Sequence, residues 1–180
     1  MNSYQEIFAA INSAMGFTLI SIDGPAGAGK TTLAETLKSD LRLEKKSAEI
    51  IHMDDLYNGW EDALGTKLGL ALGDIASQTS GKEIIHPIYN WAEEKYSRIR
   101  SIPTPDVLIL DGVGSGHSVI REKVDISIWV EIEPHLGIKR AIDRDGKIIA
   151  PYMDGWEKGQ AAYFAEHHTR ESATFTIVMD

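Results

Sequence analysis

Gly24-Pro25-Ala26-Gly27-Ala28-Gly29-Lys30-Thr31-Thr32 is the stretch from which the rest of the chain is read. Gly24, Gly29, Lys30 and Thr31 fill every fixed position of the phosphate-binding pattern G-x-x-x-x-G-K-[ST]. Glycines let successive backbone N–H groups curl round an anion. Lys30 brings a compact positive charge to the β/γ-phosphates, and the Thr31 hydroxyl can ligate Mg²⁺. A nucleoside triphosphate is the ligand this implies, with Gly24, Ala26, Gly27, Ala28, Gly29, Lys30, Thr31 and Thr32 as its binding loop.

The flanks agree with that reading. Residues 17–23, Phe-Thr-Leu-Ile-Ser-Ile-Asp, form an apolar, β-branched run of strand length. Downstream, Leu33, Ala34, Leu37 and Leu41 recur at helical spacing. Strand, glycine loop and helix thus stand in the required order, and the helix N-terminus adds its dipole and free N–H groups to the phosphate site.

Working outward, strand-like and helical stretches alternate along 180 residues, one domain's worth of chain. The alternation predicts a single α/β domain with a mainly parallel five-stranded sheet and helices on both faces. Its strands are expected at residues 17–23, 48–53, 107–111, 124–132 and 173–179. Tyr4, Ile7, Phe8, Ile11, Ala14 and Met15 trace one face of an N-terminal helix within residues 1–16. That segment lacks a basic start and a long apolar run, so it does not read as a signal peptide. Leu64, Leu68, Leu72, Ile75 and Ala76 have helical periodicity, with Gly65, Gly69 and Gly73 four apart allowing close packing or movement. Residues 82–100 show no clear period and read as a substrate-side excursion from the sheet. A helix is expected at residues 135–143, and the glycine- and charge-rich residues 145–159 suit a short mobile lid.

Composition narrows the partners. A formal charge of −9 argues against nucleic acid or an anionic membrane surface, which require clustered Lys and Arg. No run of about 18 apolar residues predicts a membrane span. The absence of cysteine is consistent with a reducing cytoplasm and rules out disulfides and thiolate metal sites. Whether the chain forms a homo-oligomer is left open. A small-molecule partner in one local basic pocket fits the charge balance.

Three groups of residues can complete the site. Asp54 and Asp55 follow the second strand at the end where open α/β sheets bind ligands, and either can act as a proton acceptor for an attacking hydroxyl. Val107-Leu-Ile-Leu-Asp111 is an apolar strand ending in an acid, the pattern that holds Mg²⁺ directly or through water. Gly112, Gly114 and Gly116 follow it and let the chain turn close to a ligand, with a helix expected near His117 or Ser118. Arg140 and Arg144, near a helix end and before Gly146, can neutralise transferring phosphates. Trp60, Trp91, Trp129 and Trp156 could stack on a base, although Trp129 lies in a strand and suits the core; Tyr89 and Trp91 are candidates for the acceptor wall, and the six histidines show no metal-ligand spacing.

These residues resemble the uridine kinase and phosphoribulokinase branch of the P-loop kinases. Asp54-Asp55-Leu56-Tyr57 is similar to that branch's Asp-x-[hydrophobic]-Tyr segment. Pro87-Ile88-Tyr89-Asn90-Trp91 is similar to the uridine kinase Pro-x-Tyr-Asp-Phe stretch, with Asn90 in place of the acid. Leu110-Asp111-Gly112 resembles its strand ending in Glu-Gly, and Tyr163-Phe164 with residues 173–178 its final helix and strand. The resemblance implies a three-layer P-loop NTPase fold and ATP with Mg²⁺. It also implies Asp54 as general base, Tyr57 and Tyr89 beside the acceptor, Asp111 near the metal, and Arg140 and Arg144 on the phosphates. Glu94 stands where uridine kinases carry a histidine, so the resemblance implies transfer to an alcohol without selecting uridine.

The expected activity is ATP-dependent transfer of a phosphoryl group to a hydroxyl of a nucleoside or related metabolite. A non-catalytic or regulatory nucleotide-binding protein, an NTP-driven switch, is the alternative. Asp111-Gly-Val-Gly114 fits the D-x-x-G signature of GTPases, but none of Asn2, Asn12, Asn58 and Asn90 begins the guanine-reading N-K-x-D motif.

Overall fold

Every residue of β1 (Thr18–Asp23) is buried, which a strand shows only at the centre of a sheet covered on both faces. The computed structural model, which describes residues 1–179, places β1 there. Its parallel neighbours are β5 (Val107–Asp111) and β6 (Ile126–Glu131); β2 (Ala48–His52) lies beyond β5, and β7 (Phe175–Val178) beyond β6. The order β2-β5-β1-β6-β7 is a wholly parallel five-stranded sheet.

Alternation along the strands divides the core in two. Ile20 and Ile22 of β1, with Val107 and Ile109 of β5, pack against Ile7 and Ile11 of α1 (Tyr4–Ser13) and Leu33, Leu37 and Leu41 of α2 (Lys30–Leu43). Leu19, Leu108 and Leu110 face the other way, onto Leu68, Leu72 and Ile75 of α3 (Thr66–Gln78) and Tyr163 of α5 (Ala150–His167). Each fully buried leucine or isoleucine contributes about 2 kcal/mol over an exposed one, so both faces drive the three-layer arrangement. α4 (Pro134–Asp145) follows β6. Among the described residues, no helix is long and apolar enough to cross a membrane.

The N-terminal helix is opened by a capping box. Ser3 Oγ accepts from Glu6 N–H, and Glu6 Oε2 accepts from Ser3 N–H at 2.7 Å. It ends at Ser13, where Lys46 Nζ donates to the carbonyls of Asn12 and Ala14 at 2.6 and 2.8 Å. Met15, expected on the packed face, therefore lies beyond the helix and is exposed. In α3, Gly69 packs so close to the His117 ring that a Cβ would sit 2.7 Å from Nε2, whereas Gly73 faces open space.

Three other expectations change. Residues 82–100 are regular after all: β3 (Glu83–Asn90) and β4 (Lys95–Pro103) form an antiparallel hairpin separate from the main sheet. Most of β4 is exposed and a register shift interrupts the pairing at Ile88 and Tyr89, so apolar alternation is weak in the sequence. Residues 150–159, read as lid, form the first half of α5, and only 146–149 connect it to α4. The expected helix after Gly116 is a 3-10 segment, Ser118–Lys123.

Candidate active site

The phosphate loop is shaped by which of its amides are already engaged. Gly24 N–H donates to Asp23 Oδ1 at 2.7 Å, Ala28 N–H to the Pro25 carbonyl at 3.2 Å, and Ala26 N–H to Gln160 Oε1 at 3.0 Å. Among the described residues, the N–H groups of Gly27, Gly29, Lys30 and Thr31 have no protein partner. They converge where α2 begins without a side-chain cap, a geometry that welcomes an anion. Gly27 has φ +72°, and a Cβ on it would lie 2.0 Å from the Gly137 carbonyl oxygen of α4. Glycine is required there both by conformation and by contact.

Lys30 is buried, and its Nζ donates to the carbonyls of Gly24 and Pro25, both at 2.7 Å. Burial lowers its pKa, while the charges of Asp23, Asp111 and Asp54 oppose that shift. Thr31 and Thr32 line the mouth of a cleft of about 340 Å³ that runs from the loop to the aromatic residues described below.

Asp23, which the sequence marks only as the end of a strand, holds the cleft floor together. Besides Gly24 N–H, its carboxylate accepts from Gly114 N–H at 3.0 Å and Gly116 N–H at 2.9 Å. It thereby joins the phosphate loop to the turn after β5. Burial raises its pKa from 3.8 to about 6, against the pull of these amides and of Lys30. The signal available in the sequence was its place directly before the loop, opposite a glycine-rich turn.

Asp111 and Asp54 both line the cleft. Asp111 is 2% exposed; its Oδ2 meets His52 Nδ1 at 2.8 Å, while Oδ1 has no partner. The hydrogen bond to Asp111 raises the pKa of His52. Asp54 lies on a 3-10 turn, Met53–Asp55, just past β2, so alternation along a strand does not decide between the two neighbouring acids. Asp54 is open to the cleft, but the protein atoms crowding it, followed by the charge of Asp111, raise its pKa. Asp55 does not line the cleft.

The β3–β4 hairpin fixes that turn. Trp91 Nε1 donates to the Asp54 carbonyl at 3.1 Å, and Tyr96 Oη to the Leu56 carbonyl at 2.7 Å. Tyr57 Oη donates to the Val113 carbonyl at 2.7 Å, locking the turn to the segment after Asp111. Tyr57 and Trp91 also wall the cleft, together with Trp60, Met153 and Trp156. The Trp60 ring lies 5.2 Å from Trp91 and 5.8 Å from Trp156, and stacks on Tyr152 at 4.7 Å with a 5° interplanar angle. Tyr89, expected beside the acceptor, is placed behind Trp91 and packs edge-on to it without lining the cleft. Trp129 is buried as expected.

Trp60 and Trp156, like Trp91, are tryptophans the sequence offers for stacking on a base, and the structure brings all three to the cleft; Met153 carries no such signal. Met153, Trp156, Gln160 and Tyr163 do follow the spacing of one helical face, but the lid reading of residues 145–159 cut that pattern in half. On the opposite wall, Arg140 and Arg144 project from α4 into the cleft. Arg144 pairs with its neighbour Asp145 through bonds of 2.7 and 2.6 Å.

A comparison with known families draws on a different part of the chain. Residues 59–149, which exclude both the phosphate loop and Asp54, match the model of the Phosphoribulokinase / Uridine kinase family. The chain belongs to that family. Similarity to individual proteins extends over more of the chain. A uridine kinase from Leuconostoc citreum (strain KM20) is 25% identical over 142 residues, covering 71% of this chain and 68% of that protein. A possible uridine kinase from Bacillus stearothermophilus superposes with a TM-score of 0.71 at 18% identity, over 97% of this chain and 96% of that one. D-glycerate 3-kinase from Cryptococcus neoformans var. grubii gives 0.54 at 12% identity, over 94% and 87%. At such identities these two structures share a fold with the chain, and they differ in the acceptor their names carry.

Proposed function

We propose that the chain is an ATP-dependent kinase transferring the γ-phosphate to a hydroxyl of a neutral, ring-bearing metabolite such as a nucleoside. One observation carries the reading: the Asp54 carboxylate stands in a single cleft with the free amides of the phosphate loop at one end and an aromatic wall at the other. Among the described lining residues the cations are Lys30, Arg140 and Arg144. These suit the triphosphate, and an acceptor carrying its own phosphate would have no separate cation at the aromatic end. Tyr57, Trp60 and Trp91 offer ring faces and edges to a planar group.

The chain's own residues suit in-line phosphoryl transfer. Lys30 and the amides of Gly27, Gly29, Lys30 and Thr31 would hold the β/γ-phosphates, while Arg140 and Arg144 balance charge on the transferred group. The acceptor hydroxyl gives its proton to the Asp54 carboxylate as its oxygen bonds to the γ-phosphorus. The bond from that phosphorus to the β–γ bridging oxygen breaks, and ADP leaves. The raised pKa of Asp54 makes it a stronger base than an ordinary carboxylate. With an acceptor seated against them, the aromatic residues of the cleft would exclude water, so that the acceptor meets the phosphate in preference to hydrolysis.

The residues fit a divalent cation. Asp111 Oδ1 is buried without a partner, and Thr31 lines the same cleft. Among the described residues no cluster of three or more His, Asp or Glu could hold a metal unaided, so an ion held by Thr31 and Asp111 would complete its shell with phosphate and water. Mg²⁺ bound in this way would supply charge neutralisation on the phosphates. On this reading the enzyme acts in the cytoplasm on a small molecule.

The test is ADP release from MgATP across nucleosides, nucleoside monophosphates, sugars and pantothenate-like alcohols. Acceptor-dependent release with a neutral ring-bearing alcohol is the expected result. Nucleotide binding with no release for any acceptor would favour the non-catalytic alternative, and no nucleotide binding at all would end both.

A further inference from the structure

One face of α5 meets three parts of the candidate site. Met153 and Trp156 line the acceptor end of the cleft, and Gln160, one turn further on, accepts from Ala26 N–H at 3.0 Å. Tyr163 then donates to the Gly114 carbonyl at 3.0 Å, and Gly114 N–H in turn donates to Asp23. Intervals of three, four and three residues place these side chains on one stripe of a single 18-residue helix. Gln160 is 3% exposed, so its contact with the loop is made away from bulk water.

The position of that contact within the loop gives it consequence. Ala26 sits between Pro25, which has no N–H, and Gly27, whose N–H is among the free ones. Fixing the plane of the Ala26 peptide restricts the aim of the next amide, because only two dihedrals separate neighbouring peptide planes. Ala26 is held from the other side by Gly137 of α4, whose Cα packs against its carbonyl so tightly that a Cβ would come within 2.3 Å. Any shift of α5 at Trp156 is therefore passed along a rigid helix to a peptide that has little freedom to absorb it.

We propose that Gln160 is a positioning residue that couples the acceptor wall to the phosphate loop, so that nucleotide in the loop and acceptor against Trp156 each improve the site for the other. The inference rests on the nucleotide-binding reading above and adds a reciprocal linkage to it. Gln160 itself touches neither reactant: its amide oxygen sets the loop, and the helix carries the message.

Trp60, Trp91 and Trp156 report on the acceptor wall without any acceptor present. Titration of the wild type with Mg²⁺ and the non-hydrolysable analogue AMP-PNP, followed by calorimetry and by tryptophan emission in parallel, gives binding and coupling separately. Binding accompanied by an emission change that Trp156→Phe removes is expected. In Gln160→Leu, affinity should fall only about fivefold, the value of one hydrogen bond, while the emission change at saturation drops to less than half. Gln160→Glu keeps the accepting oxygen and should retain the emission change, with weaker affinity from its added negative charge near the phosphates. If the leucine variant fails to fold, the glutamate variant decides: loss of its emission change overturns the proposal. A wild-type-sized change in folded Gln160→Leu overturns it too. Wild-type binding with no emission change overturns the coupling alone, whereas no binding overturns the nucleotide reading with it.

Discussion

The two ends of the cleft are built by opposite means. At the phosphate end, the binding groups are main-chain amides of neighbouring residues in one loop between β1 and α2, backed by buried Lys30 and Asp23. At the acceptor end they are side chains from three separate pieces: Tyr57 and Trp60 from the segment after β2, Trp91 from the hairpin, and Met153 with Trp156 from α5. Backbone chemistry is indifferent to most side chains but intolerant of altered geometry. A side-chain wall is the reverse, and its residues can be exchanged to suit another acceptor while the sheet and loop stay as they are. The fold shared with kinases named for different acceptors is consistent with this division.

Substitutions can break or sharpen that contrast, and the largest effect should lie where the two ends meet. Asp54→Asn is expected to lower turnover by about 10³-fold with nucleotide affinity within a few-fold, because proton acceptance is lost and the phosphate loop is untouched. Asp55→Asn should stay within about threefold in the same ADP-release assay, and the converse result would move the base to Asp55. Since Asp54 must be ionised to accept a proton and its pKa is raised, activity should fall on the acid side at a pH above the usual carboxylate range. That limb of the pH–rate profile should disappear in the residual activity of Asp54→Asn.

At the phosphate end, Gly137→Ala would bring a Cβ within 2.3 Å of the Ala26 carbonyl oxygen. A cost of about 1–3 kcal/mol in stability and weakened nucleotide binding are expected, measured by thermal unfolding and calorimetry. An unperturbed variant would show that the loop is less tightly framed than its contacts imply.

Asp23 provides a pH signature confined to this end. Its folded pKa of about 6 exceeds the ordinary 3.8, so between those values the folded chain retains a proton that the unfolded chain has released. Its contribution to stability therefore declines as pH rises through that window, by up to about 3 kcal/mol. Asp23→Asn lacks the effect, and the stability of the wild type relative to this variant should drop between about pH 4 and 6. A pH-independent difference in urea titrations would remove Asp23 as a buried titrating group.

The smallest change belongs to the wall. Trp60→Ala should raise the acceptor KM about tenfold, with nucleotide affinity unaltered, because it removes one ring surface and no backbone contact. If nucleotide affinity fell equally, the two ends would not be separable in this way.

Much of the phosphate end was legible before any coordinates, since Gly24 to Thr32 lie consecutively and their flanks show the right periodicities. Asp111 and the two arginines were legible as strand-end and helix-end charges, and the structure gathers all three into the cleft with Lys30. The hairpin was not, because its exposed strand and interrupted register mask the alternation that marks a half-buried strand. Nor was the role of α5: its glycines and charges imitate a loop, while the residues that matter form a narrow stripe down one side.

By itself, the sequence determined a strand-loop-helix that presents amides to an anion, and the parallel sheet around it, because both follow from residues adjacent or periodic along the chain. Only the tertiary structure decided that Asp54 faces the cleft, that Tyr89 stands behind Trp91, and that Asp23 and Gln160 hold the loop. Those outcomes depend on residues up to 134 positions apart meeting at the carboxyl ends of the strands, and the meeting is set by how hairpin and helices pack, which no local spacing encodes.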